Sequence, residues 1–476
     1  MILLLDGQGV LYEQIARSIK AHILDGSFQA GMKLPSSREL ALMMKVSRRS
    51  VVDAYDLLAA EGMVQPIAGV GTVVTPLANE NLPQTNSTAA DTGLSRFALR
   101  AKGLPPIALV GTTQGLRYSF QYGAPLVNAR VYLSWARKLT AAAKRTVPNY
   151  AMAVGHPALR SAIAHYLTHR RGVQCTADDV LIVSGTQQAI SLAVRVLLNE
   201  GDAAIVEDPF YELAVKVLIA HGADVHYVRT DNDGLCVNEI PNCLARLAFV
   251  TPAHQFPSGV EMSMQRRVDL LAWARETNAW ILEDSYDSEF HGGRELYRSL
   301  YSMDVNDRVI YVGSFSKSLF PSIRLGYVVC PKRINSVLVR ARLLEDLGSP
   351  VVEQAALATF MQSGLYEKQL RASIREVLVR RKVLVHELRR TFNDAVEIGP
   401  YHSGMHLVLW FPKLEASQLR ALIQEAANRQ VAVQSVEPWY NQAPPYPGLL
   451  LGYASMNASE IRTAVRRLAQ CLSLVN

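Results

Sequence analysis

The segment Gly313–Tyr327, GSFSKSLFPSIRLGY, places a lysine on a turn of small residues directly after an apolar run. That run, Val309–Val312, is short, continuous and rich in β-branched residues, which is typical of a buried strand. Lys317 stands among serine hydroxyls, and Arg324 follows seven positions later. A lysine at the end of a strand with limited access to water can lose its proton and attack an aldehyde. The segment therefore predicts an α/β fold with a reactive lysine at one end of its sheet.

Apolar runs of the same kind recur on the N-terminal side of this segment. Each is short and mostly bounded by Gly, Pro or Asp, and stretches with a helical pattern separate them. Continuous apolar runs are typical of strands that helices cover on both faces. The pattern predicts a mainly parallel central sheet, with strands at residues 180–183, 203–206, 247–250, 280–282 and 309–312.

A glycine turn follows the first of these strands, in VSGTQQAI (Val183–Ile190). A turn between a strand and the start of a helix presents backbone N–H groups and the positive end of the helix, which together favour phosphate. The hydroxyl of Thr186 adds another donor. The alternative is an ordinary strand-to-helix turn, and this motif alone does not decide between them.

Acidic and aromatic residues end a later strand, in ILEDSYDSEF (281–290). Asp284 and Tyr286 are two positions apart, so they lie on one side of an extended chain. A carboxylate at the carboxyl end of a strand lies where α/β folds bind ligands. Glu283, Asp284 and Asp287 also suggest a metal site, but acids this close in sequence are more often turn and cap residues, and no metal is predicted.

An amine nucleophile, a phosphate site and a carboxylate together indicate one cofactor. Pyridoxal phosphate fits all three, because it carries an aldehyde, a phosphate and a basic ring. Taken singly, Lys317 is more often a surface lysine and Tyr211, in EDPFYE, a core tyrosine. Their joint occurrence in this order favours the cofactor site.

The chain is too long, at 476 residues, for one compact core, and its composition changes along the sequence. The segment Pro76–Gly93 is polar and poor in large apolar residues, so burial cannot offset its ordering entropy. We predict an N-terminal domain at 1–75, a flexible linker at 76–110 and a larger domain at 111–476. Residues from about 346 to 476 are predicted to form its smaller C-terminal α+β subdomain.

Composition and charge exclude several classes of protein. The hydrophobic fraction is 49%, and no apolar run approaches the ~18 residues needed to cross a bilayer. The start, MILLLDGQG, has a five-residue apolar run without a cleavage pattern, so no signal peptide is predicted. Five scattered cysteines without C-x-x-C spacing predict reduced thiols in a cytoplasmic protein. The net charge of +7 permits an anionic partner.

Three short helices and a glycine-rich hairpin are predicted in the first 75 residues. Leu11–Leu24 carries an apolar stripe with helical spacing, while Ser36 and Ser47 are placed to cap a second and a third helix. Two helices joined by a tight turn form a helix-turn-helix, whose second helix presents its N-terminal residues to the major groove of DNA. Gln65–Val74 is predicted to form a two-stranded wing.

Positive charge is concentrated around this turn, although residues 1–75 are neutral as a whole. Five basic residues stand within seventeen positions against one acid, Glu39. A solvated charged face is the usual explanation of a charge run, but here the capped turn, the arginine pair and the wing coincide, which favours DNA binding. The five residues are Lys33, Arg38, Lys45, Arg48 and Arg49.

The same residues resemble a known family. GMKLPSSRELALMMKVSRRSVVDAYDLLAAEG (31–62), followed by GVGTVV (69–74), is similar to the winged helix-turn-helix of GntR-type regulators. The resemblance implies operator DNA as a partner. It implies base or phosphate contacts from Ser36, Ser37, Arg38, Arg48, Arg49 and the region of Gly71.

From about residue 115 to the C-terminus, the sequence resembles fold-type I aminotransferases, which depend on pyridoxal phosphate. This resemblance implies an imine between Lys317 and the cofactor, with Asp284 at the ring nitrogen. It places Tyr286 at the ring hydroxyl and Tyr211 on the face of the ring. The implied phosphate contacts are Gly185, Thr186, Gln187, Ser314, Ser316 and Arg324.

The joined architecture is similar to MocR-type regulators, in which a GntR-like head is fused to an aminotransferase-like body. TPAHQFPSG (251–259), EDSYDSEF (283–290) and the segment around Lys317 carry this resemblance. It implies a homodimer, domain-swapped where each head crosses to the partner's body. It also implies that Tyr150 reaches the cofactor phosphate across the interface.

One position departs from the aminotransferase pattern next to the cofactor. Phe256 precedes Pro257, where aminotransferases usually have an asparagine that bonds the ring hydroxyl. His254 or Gln255 is a candidate to replace it, and the alternative is that both only shape the loop.

A second departure concerns the substrate. Leu450 stands where an arginine normally grips the α-carboxylate, and an alkyl group cannot replace a bidentate clamp. The nearest upstream arginines, Arg420 and Arg429, fall in a helical pattern and do not match that strand position. Efficient turnover of ordinary amino acids is therefore not expected.

Two functions follow from these motifs. The first is a transcription regulator whose body senses an amine, an amino acid or pyridoxal phosphate itself. The second is a working aminotransferase with an accessory DNA-binding head. An inert scaffold is a third possibility, but the presence of most types of cofactor-contact residue argues against it.

The basic helix predicted at Arg371–Arg390 either helps to hold DNA or is a solvated face of the small subdomain, and the latter is favoured.

Overall fold

The computed structural model of the chain describes residues 9–24, 27–75, 93–107, 115–123, 126, 129–146, 149–150, 152–290 and 298–475. It divides into two compact units, Met1–Gly93 and Leu94–Asn476. We call these units the head and the body. Residues 76–92 and 108–110 of the predicted linker lie outside the described residues.

The head packs three helices around one core and adds a two-stranded antiparallel wing, as predicted. Ile15, Val51 and Leu58 are buried in this core. The hydroxyl of Ser36 accepts the backbone N–H of Glu39 at 3.3 Å, and the Glu39 carboxylate accepts the N–H of Ser36 at 2.8 Å. This reciprocal capping box fixes the start of the second helix. The elements are α1 (Leu11–Leu24), α2 (Ser37–Met44), α3 (Arg48–Ala60), β1 (Val64–Ile67) and β2 (Gly71–Val74).

The body is an α/β unit. Its helices are α4 (Arg96–Gly103), α5 (Ala129–Arg145), α6 (Pro157–Arg171), α7 (Thr186–Leu197), α8 (Glu212–His221), α9 (Met264–Thr277), α10 (Leu300–Met303), α11 (Lys332–Asp346), α12 (Val351–Gln362), α13 (Leu365–Phe392), α14 (Ala416–Asn428) and α15 (Ala458–Val475). Its strands are β3 (Tyr118–Ser119), β4 (Val180–Val183), β5 (Ala203–Asp208), β6 (Asp224–Asp231), β7 (Gly234–Leu235), β8 (Ala245–Val250), β9 (Trp280–Asp284), β10 (Val309–Ser314), β11 (Gly326–Val329), β12 (Glu397–Ile398), β13 (His406–Trp410), β14 (Val431–Ala432), β15 (Gln434–Ser435) and β16 (Gly448–Gly452).

The central sheet has eight strands in the order β4-β11-β10-β9-β8-β5-β6-β7. Strands β10, β9, β8, β5 and β6 pair in parallel, whereas β11 runs antiparallel to both of its neighbours and β7 to β6. The prediction of a mainly parallel sheet is confirmed, and each of the five predicted strands lies within an observed one.

Both faces of this sheet are covered, which is why its strands are continuous apolar runs. Leu282 packs into a cluster with helices α7 and α8, while its neighbour Ile281 points into a second cluster with α9. Successive side chains of a strand point to opposite faces, so both must be apolar where both faces are buried. The fold thus brings the carboxyl ends of β4, β5, β8, β9 and β10 to one edge.

The C-terminal part of the body contains a smaller sheet in the order β12-β13-β16-β15. The basic segment 371–390 lies within helix α13, whose apolar residues pack in the largest core cluster of the described residues. Arg381 is buried, and its guanidinium donates to the hydroxyl of Tyr453 and to backbone carbonyls, among them that of Gly404 at 3.2 Å. Arg381 therefore belongs to the core and not to a solvated face, and the choice between a solvated face and DNA binding stays a prediction for the exposed basic residues of this helix.

The body begins earlier than the sequence predicted. Helix α4 lies within the predicted linker at 76–110, yet it belongs to the body and packs on α8. Arg100 donates to the carboxylate of Glu200 at 3.0 Å and to the backbone carbonyl of Ala220 at 3.1 Å. Residues 94–107 are therefore attached to the body, and the flexible-linker prediction is wrong for them. The residues that bind Arg100 lie 100 and 120 positions further along the chain, so no local pattern indicates this attachment.

The sequence predicted neither disulfide bonds nor a membrane-spanning segment. All five cysteines are free thiols. Among the described residues, no helix is both long and apolar enough to span a bilayer.

Candidate functional site

A cavity of about 270 Å³ opens at the edge where the carboxyl ends of the parallel strands meet. Ligands bind at this edge in open α/β sheets. Most lining residues come from the ends of β4, β5, β8, β9 and β10 or from the segments that follow them, whereas Tyr122 and Gly123 follow β3 and Arg324 lies in the turn that leads into β11. They are Tyr122, Gly123, Thr186, Gln187, Tyr211, Leu213, Phe256, Asp284, Tyr286, Ser314, Ser316, Lys317, Pro321 and Arg324.

Lys317 is one of the residues that line this cavity. Its Nζ is 4.5 Å above the ring centroid of Tyr122, and a Cβ built on Gly123 would approach Nζ to 3.1 Å. Desolvation lowers the pKa of Lys317 to about 8, although the charges of Asp287 and Asp284 oppose this shift. A sizeable fraction of the side chain is therefore a neutral amine near neutral pH, which is the nucleophilic form.

Asp284 lines the same cavity as Lys317 and is almost fully buried. Its Oδ1 atom accepts no hydrogen bond from any described residue. Desolvation raises the pKa of Asp284 to about 8, and the nearby charge of Asp287 adds to the shift. A buried carboxyl oxygen without a donor is costly, so this geometry fits a ligand that brings its own N–H group.

The hydroxyl of Tyr286 is already hydrogen-bonded within the protein. It donates to the backbone carbonyl of His254 at 2.7 Å and lies 3.1 Å from Nδ1 of the same residue. That Nδ1 is also 2.9 Å from the carboxylate of Asp287. The backbone N–H groups of Leu300 and Tyr301 donate to Glu283. The carboxylates of Glu283 and Asp287 therefore face different partners: Glu283 accepts backbone N–H groups at the start of α10, whereas Asp287 lies against the ring of His254.

One end of the cavity is formed at the start of α7. Gly185 is the residue before the helix and has a φ of +95°, a conformation that favours glycine. Nη2 of Arg324 donates to the carbonyl of Ser184 at 2.6 Å, and a Cβ on Gly185 would lie 3.3 Å from its guanidinium. Ser314 donates its hydroxyl to Ser316 at 2.9 Å on the other side. Helix N–H groups, two hydroxyls and a guanidinium thus surround one position.

Aromatic rings form the remaining wall. Tyr211 is the N-cap residue of α8, and its ring lies 5.7 Å from that of Phe256 at 85°. Tyr122 contacts Phe256 at 5.0 Å and His406 at 4.9 Å. Sequence reasoning missed Tyr122, Gly123, Leu213 and Pro321, because nothing in their local pattern marks them as site residues.

Neither candidate replacement for the asparagine reaches the cavity. His254 pairs with Asp287, and the amide nitrogen of Gln255 donates to the carbonyls of Pro209 and Phe256, each at 2.6 Å. Phe256 itself lines the cavity. The alternative interpretation, that His254 and Gln255 shape the loop, is the one these contacts favour.

Two predicted cofactor contacts, Gly185 and Tyr150, are not among the described residues that line this cavity. Gly185 lies against the guanidinium of Arg324. Tyr150 is 84% exposed. The prediction for Tyr150 concerns the cavity of a second chain and stays a prediction.

In the head, the residues predicted to contact DNA lie at the starts of α2 and α3 and at the start of the second wing strand. Ser47 caps α3 by accepting the N–H of Ser50 at 3.1 Å. Arg48 and Arg49 follow in the first turn of α3 and are exposed. Nε of Arg48 donates to the hydroxyl of Ser37 at 3.3 Å, which brings the starts of α2 and α3 together. Ser36, Ser37 and Arg38 stand at the start of α2, and Gly71 opens the second wing strand.

Family models match both parts of the chain. Residues 11–74 match the gntR family of bacterial regulatory proteins, and residues 122–468 match aminotransferase class I and II. Among solved structures, the body resembles the α-aminoadipate aminotransferase LysN of Thermus thermophilus, solved with N-(5'-phosphopyridoxyl)-L-leucine. The TM-score is 0.71 at 24% identity, covering 81% of this chain and 98% of that one. An archaeal alanine:glyoxylate aminotransferase gives a TM-score of 0.73 at 22% identity, covering 80% of this chain and 98% of that one. These two likenesses show the fold.

Full-length relatives show how the two parts are combined. The chain is 33% identical to the probable rhizopine catabolism regulatory protein MocR of Rhizobium meliloti, covering 97% of this chain and 94% of that protein. It is 28% identical to the pyridoxine biosynthesis transcriptional regulator PdxR of Corynebacterium glutamicum, covering 97% and 96%. The regulator TauR of Rhodobacter capsulatus is 29% identical, covering 98% and 97%. The chain belongs to the MocR-type transcription regulators, in which a DNA-binding GntR-type head is fused to a class I and II aminotransferase body.

Proposed function

We propose that the body binds pyridoxal phosphate at Lys317 and uses it to sense a small amine, an amino acid or the cofactor itself, and so controls operator binding by the head. The observation that carries this proposal is the unpartnered, buried Oδ1 of Asp284 in the same cavity as the amine of Lys317. A pyridine nitrogen that holds a proton supplies the missing donor. A lysine-linked ring would thus satisfy both groups.

The other residues of the cavity fit the rest of the cofactor. The start of α7 with Gly185 and Thr186, together with Arg324, would hold the phosphate. Tyr211 would stack on the ring and Tyr286 would approach its hydroxyl, as the resemblance implies. When bound, pyridoxal phosphate supplies an aldehyde carbon on which one primary amine can replace another without net oxidation or reduction.

A sensor is favoured over an enzyme because the described cavity lining lacks a second arginine that could bind a substrate carboxylate. Among the described residues lining the cavity, Arg324 is the one arginine, and it lies at the phosphate end. An aminotransferase remains the second candidate, because Lys317 and Asp284 suffice for its central chemistry. Complete conversion of the cofactor to its aminated form, with release of a keto acid in single-turnover spectra, would support the enzyme.

The test of the sensor function is a change of operator affinity. Operator DNA is selected with the full chain, and its affinity is measured at fixed salt with the cofactor-free protein, the loaded protein and the loaded protein plus candidate amines. An effector with differential affinity for two states of the body shifts operator affinity, typically by about 5- to 150-fold. Equal affinities in all three samples would contradict the proposal.

Replacement of Asp284 by alanine is expected to weaken pyridoxal phosphate binding. The change removes a charged hydrogen bond worth about 1.5–3 kcal/mol, so affinity should fall by about 10- to 150-fold. Absorbance titration of the cofactor-free protein measures this change. Glu276, an exposed acid on α9, provides a matched Glu276→Ala control that should bind normally. Unchanged affinity in Asp284→Ala would show that this carboxylate does not hold the ring.

A segment near the start of the body, which contains Pro105 and Pro106, is hydrogen-bonded to α8, a helix that contributes to the cavity wall. Nζ of Lys216 donates to the carbonyls of Pro105 and Pro106 at 2.6 and 3.0 Å. Lys216 lies on α8, which starts directly after Tyr211. Leu213 of the same helix lines both the cofactor cavity and the groove beneath α4. This attachment offers a physical route by which occupancy of the cavity reaches the chain leading to the head.

We therefore expect the Lys216→Met/Glu212→Gln variant to lose most of the ligand response of operator affinity. Methionine keeps the apolar stem, and glutamine avoids leaving a buried carboxylate beside the lost ammonium. Cofactor absorbance and its response to ligand should stay close to those of the unmodified protein. Lys332→Met, on the exposed start of α11, is the matched control. A full ligand response in the variant would show that coupling does not pass through this attachment.

The assembly we propose is a homodimer, domain-swapped as the resemblance implies, in which Tyr150 of one chain approaches the phosphate end of the other. Its exposure in the single chain is consistent with such a contact. Sedimentation equilibrium measures the dimer, and a monomer at micromolar concentration would contradict it.

A further inference from the structure

The part of the cavity that receives a ligand's own side groups is neutral and apolar. Leu213, Phe256 and Pro321 contribute apolar surface to the lining. Among the described lining residues, the cationic side chains are Lys317 and Arg324. Arg324 is committed to the start of α7 by its bond to the carbonyl of Ser184. Among the described lining residues, no cationic side chain other than these two is present to pair with a second anionic group.

The wall behind Phe256 is also apolar. Leu450 is fully buried on β16 and pairs in register with Val408 and Gln434. It packs in one cluster with Phe256, Val408 and Trp439. A carboxylate against this wall would lose its water without gaining a partner, which is strongly unfavourable.

We propose that the ligand exchanged at Lys317 is a primary amine with no carboxylate on the carbon that bears its amino group. This inference rests on the proposed function, because it names the class of ligand that the pyridoxal phosphate site senses. The amino group competes with Nζ of Lys317, while an apolar or aromatic remainder packs against Leu213 and Phe256. Ordinary α-amino acids carry a carboxylate for which the described lining residues offer no further cation, so we expect them to be poor ligands.

Matched pairs of compounds that differ only in the carboxylate test this class directly. Tyramine is compared with tyrosine, phenethylamine with phenylalanine, and cadaverine with lysine, using the full chain loaded with pyridoxal phosphate. The readouts are the concentration that half-saturates the cofactor's absorbance change and the operator affinity at fixed salt. We expect at least one amine to half-saturate at a concentration lower than its amino acid by about tenfold or more. Equal or lower values for all three amino acids would overturn the inference.

The same samples separate this inference from the function on which it rests. A protein that never acquires the cofactor's absorbance contradicts the proposed function, and the inference falls with it. If the cofactor is bound and changes operator affinity, but no member of any pair changes its absorbance, pyridoxal phosphate itself is the effector. That outcome overturns the inference and leaves the sensor function standing.

A variant at the wall provides an independent readout. Leu450→Arg introduces a guanidinium next to Phe256, and Leu450→Met is the control of similar volume. The arginine should lower the half-saturating concentration of the amino acids by about tenfold while changing that of the amines little. Circular dichroism establishes whether the arginine variant folds. If it folds and amino acids gain nothing, the wall does not set the selectivity; if it does not fold, the matched pairs on the unmodified protein still decide.

Discussion

Alanine at position 317 is expected to abolish covalent retention of pyridoxal phosphate. Lys317 is the amine that the fold holds in the cavity, with its pKa lowered to about 8 by desolvation. Alanine leaves no nucleophile for the aldehyde. Arg324 and the start of α7 remain, so the cofactor can still bind loosely but should be lost on gel filtration. The visible absorbance band of the lysine-linked cofactor should be absent from the variant.

Two measurements make this expectation decisive. Borohydride treatment of the unmodified protein should add the mass of the reduced cofactor to the peptide that contains residue 317, and the variant should show no adduct there. Lys332→Ala removes an exposed lysine of the same body and should keep both the band and the adduct. An adduct on another lysine, or a retained band in Lys317→Ala, would show that the cofactor is bound elsewhere.

The sequence predicted the strand and the turn that hold Lys317 because both depend on residues that are close together in the chain. Strand β10 and the turn after it lie within one continuous segment, so an apolar run followed by Lys317 was sufficient to predict both. The capping box of Ser36 and Glu39 is likewise contained within four positions. Such features depend on short-range periodicity and caps, which a single sequence carries.

The rest of the site depends on contacts that are distant in sequence. Tyr122 lies under Lys317 across almost two hundred positions, and no local pattern marks it. Phe256 and Leu450 share one apolar cluster only because β16 of the small sheet packs near the loop after β8. The attachment of α4 to α8 was not predicted for the same reason, because the partners of Arg100 lie 100 or more positions further along the chain.

Alanine at both Arg48 and Arg49 is expected to reduce operator affinity by about 100-fold or more, at about 1–3 kcal/mol for each specific contact. The structure gives a local reason to assign these side chains to DNA. They occupy the first turn of α3, where the helix dipole favours acids, and that turn contains no acid. The side chain of Arg49 is 90% exposed, and its nearest acid, Asp53, is 3.9 Å away. Both cations are unfavourable at the positive end of the helix dipole, and neither has a strong partner among the described residues of the head. An anionic partner such as the DNA backbone explains their placement.

The salt dependence separates this role from a loss of folding. Each phosphate contact removed should lower the slope of log affinity against log salt by about 1, so the double variant should lose about 1 to 2. Alanine is the strongest helix former, so α3 should persist. Arg17→Ala, on α1 of the same head, is the matched control and should leave affinity and slope near their original values. The double variant should also keep the cofactor absorbance that Lys317→Ala loses, while Lys317→Ala should still bind operator DNA. If Arg48→Ala/Arg49→Ala bound the operator with unchanged affinity and slope, the groove-reading surface would lie outside the start of α3.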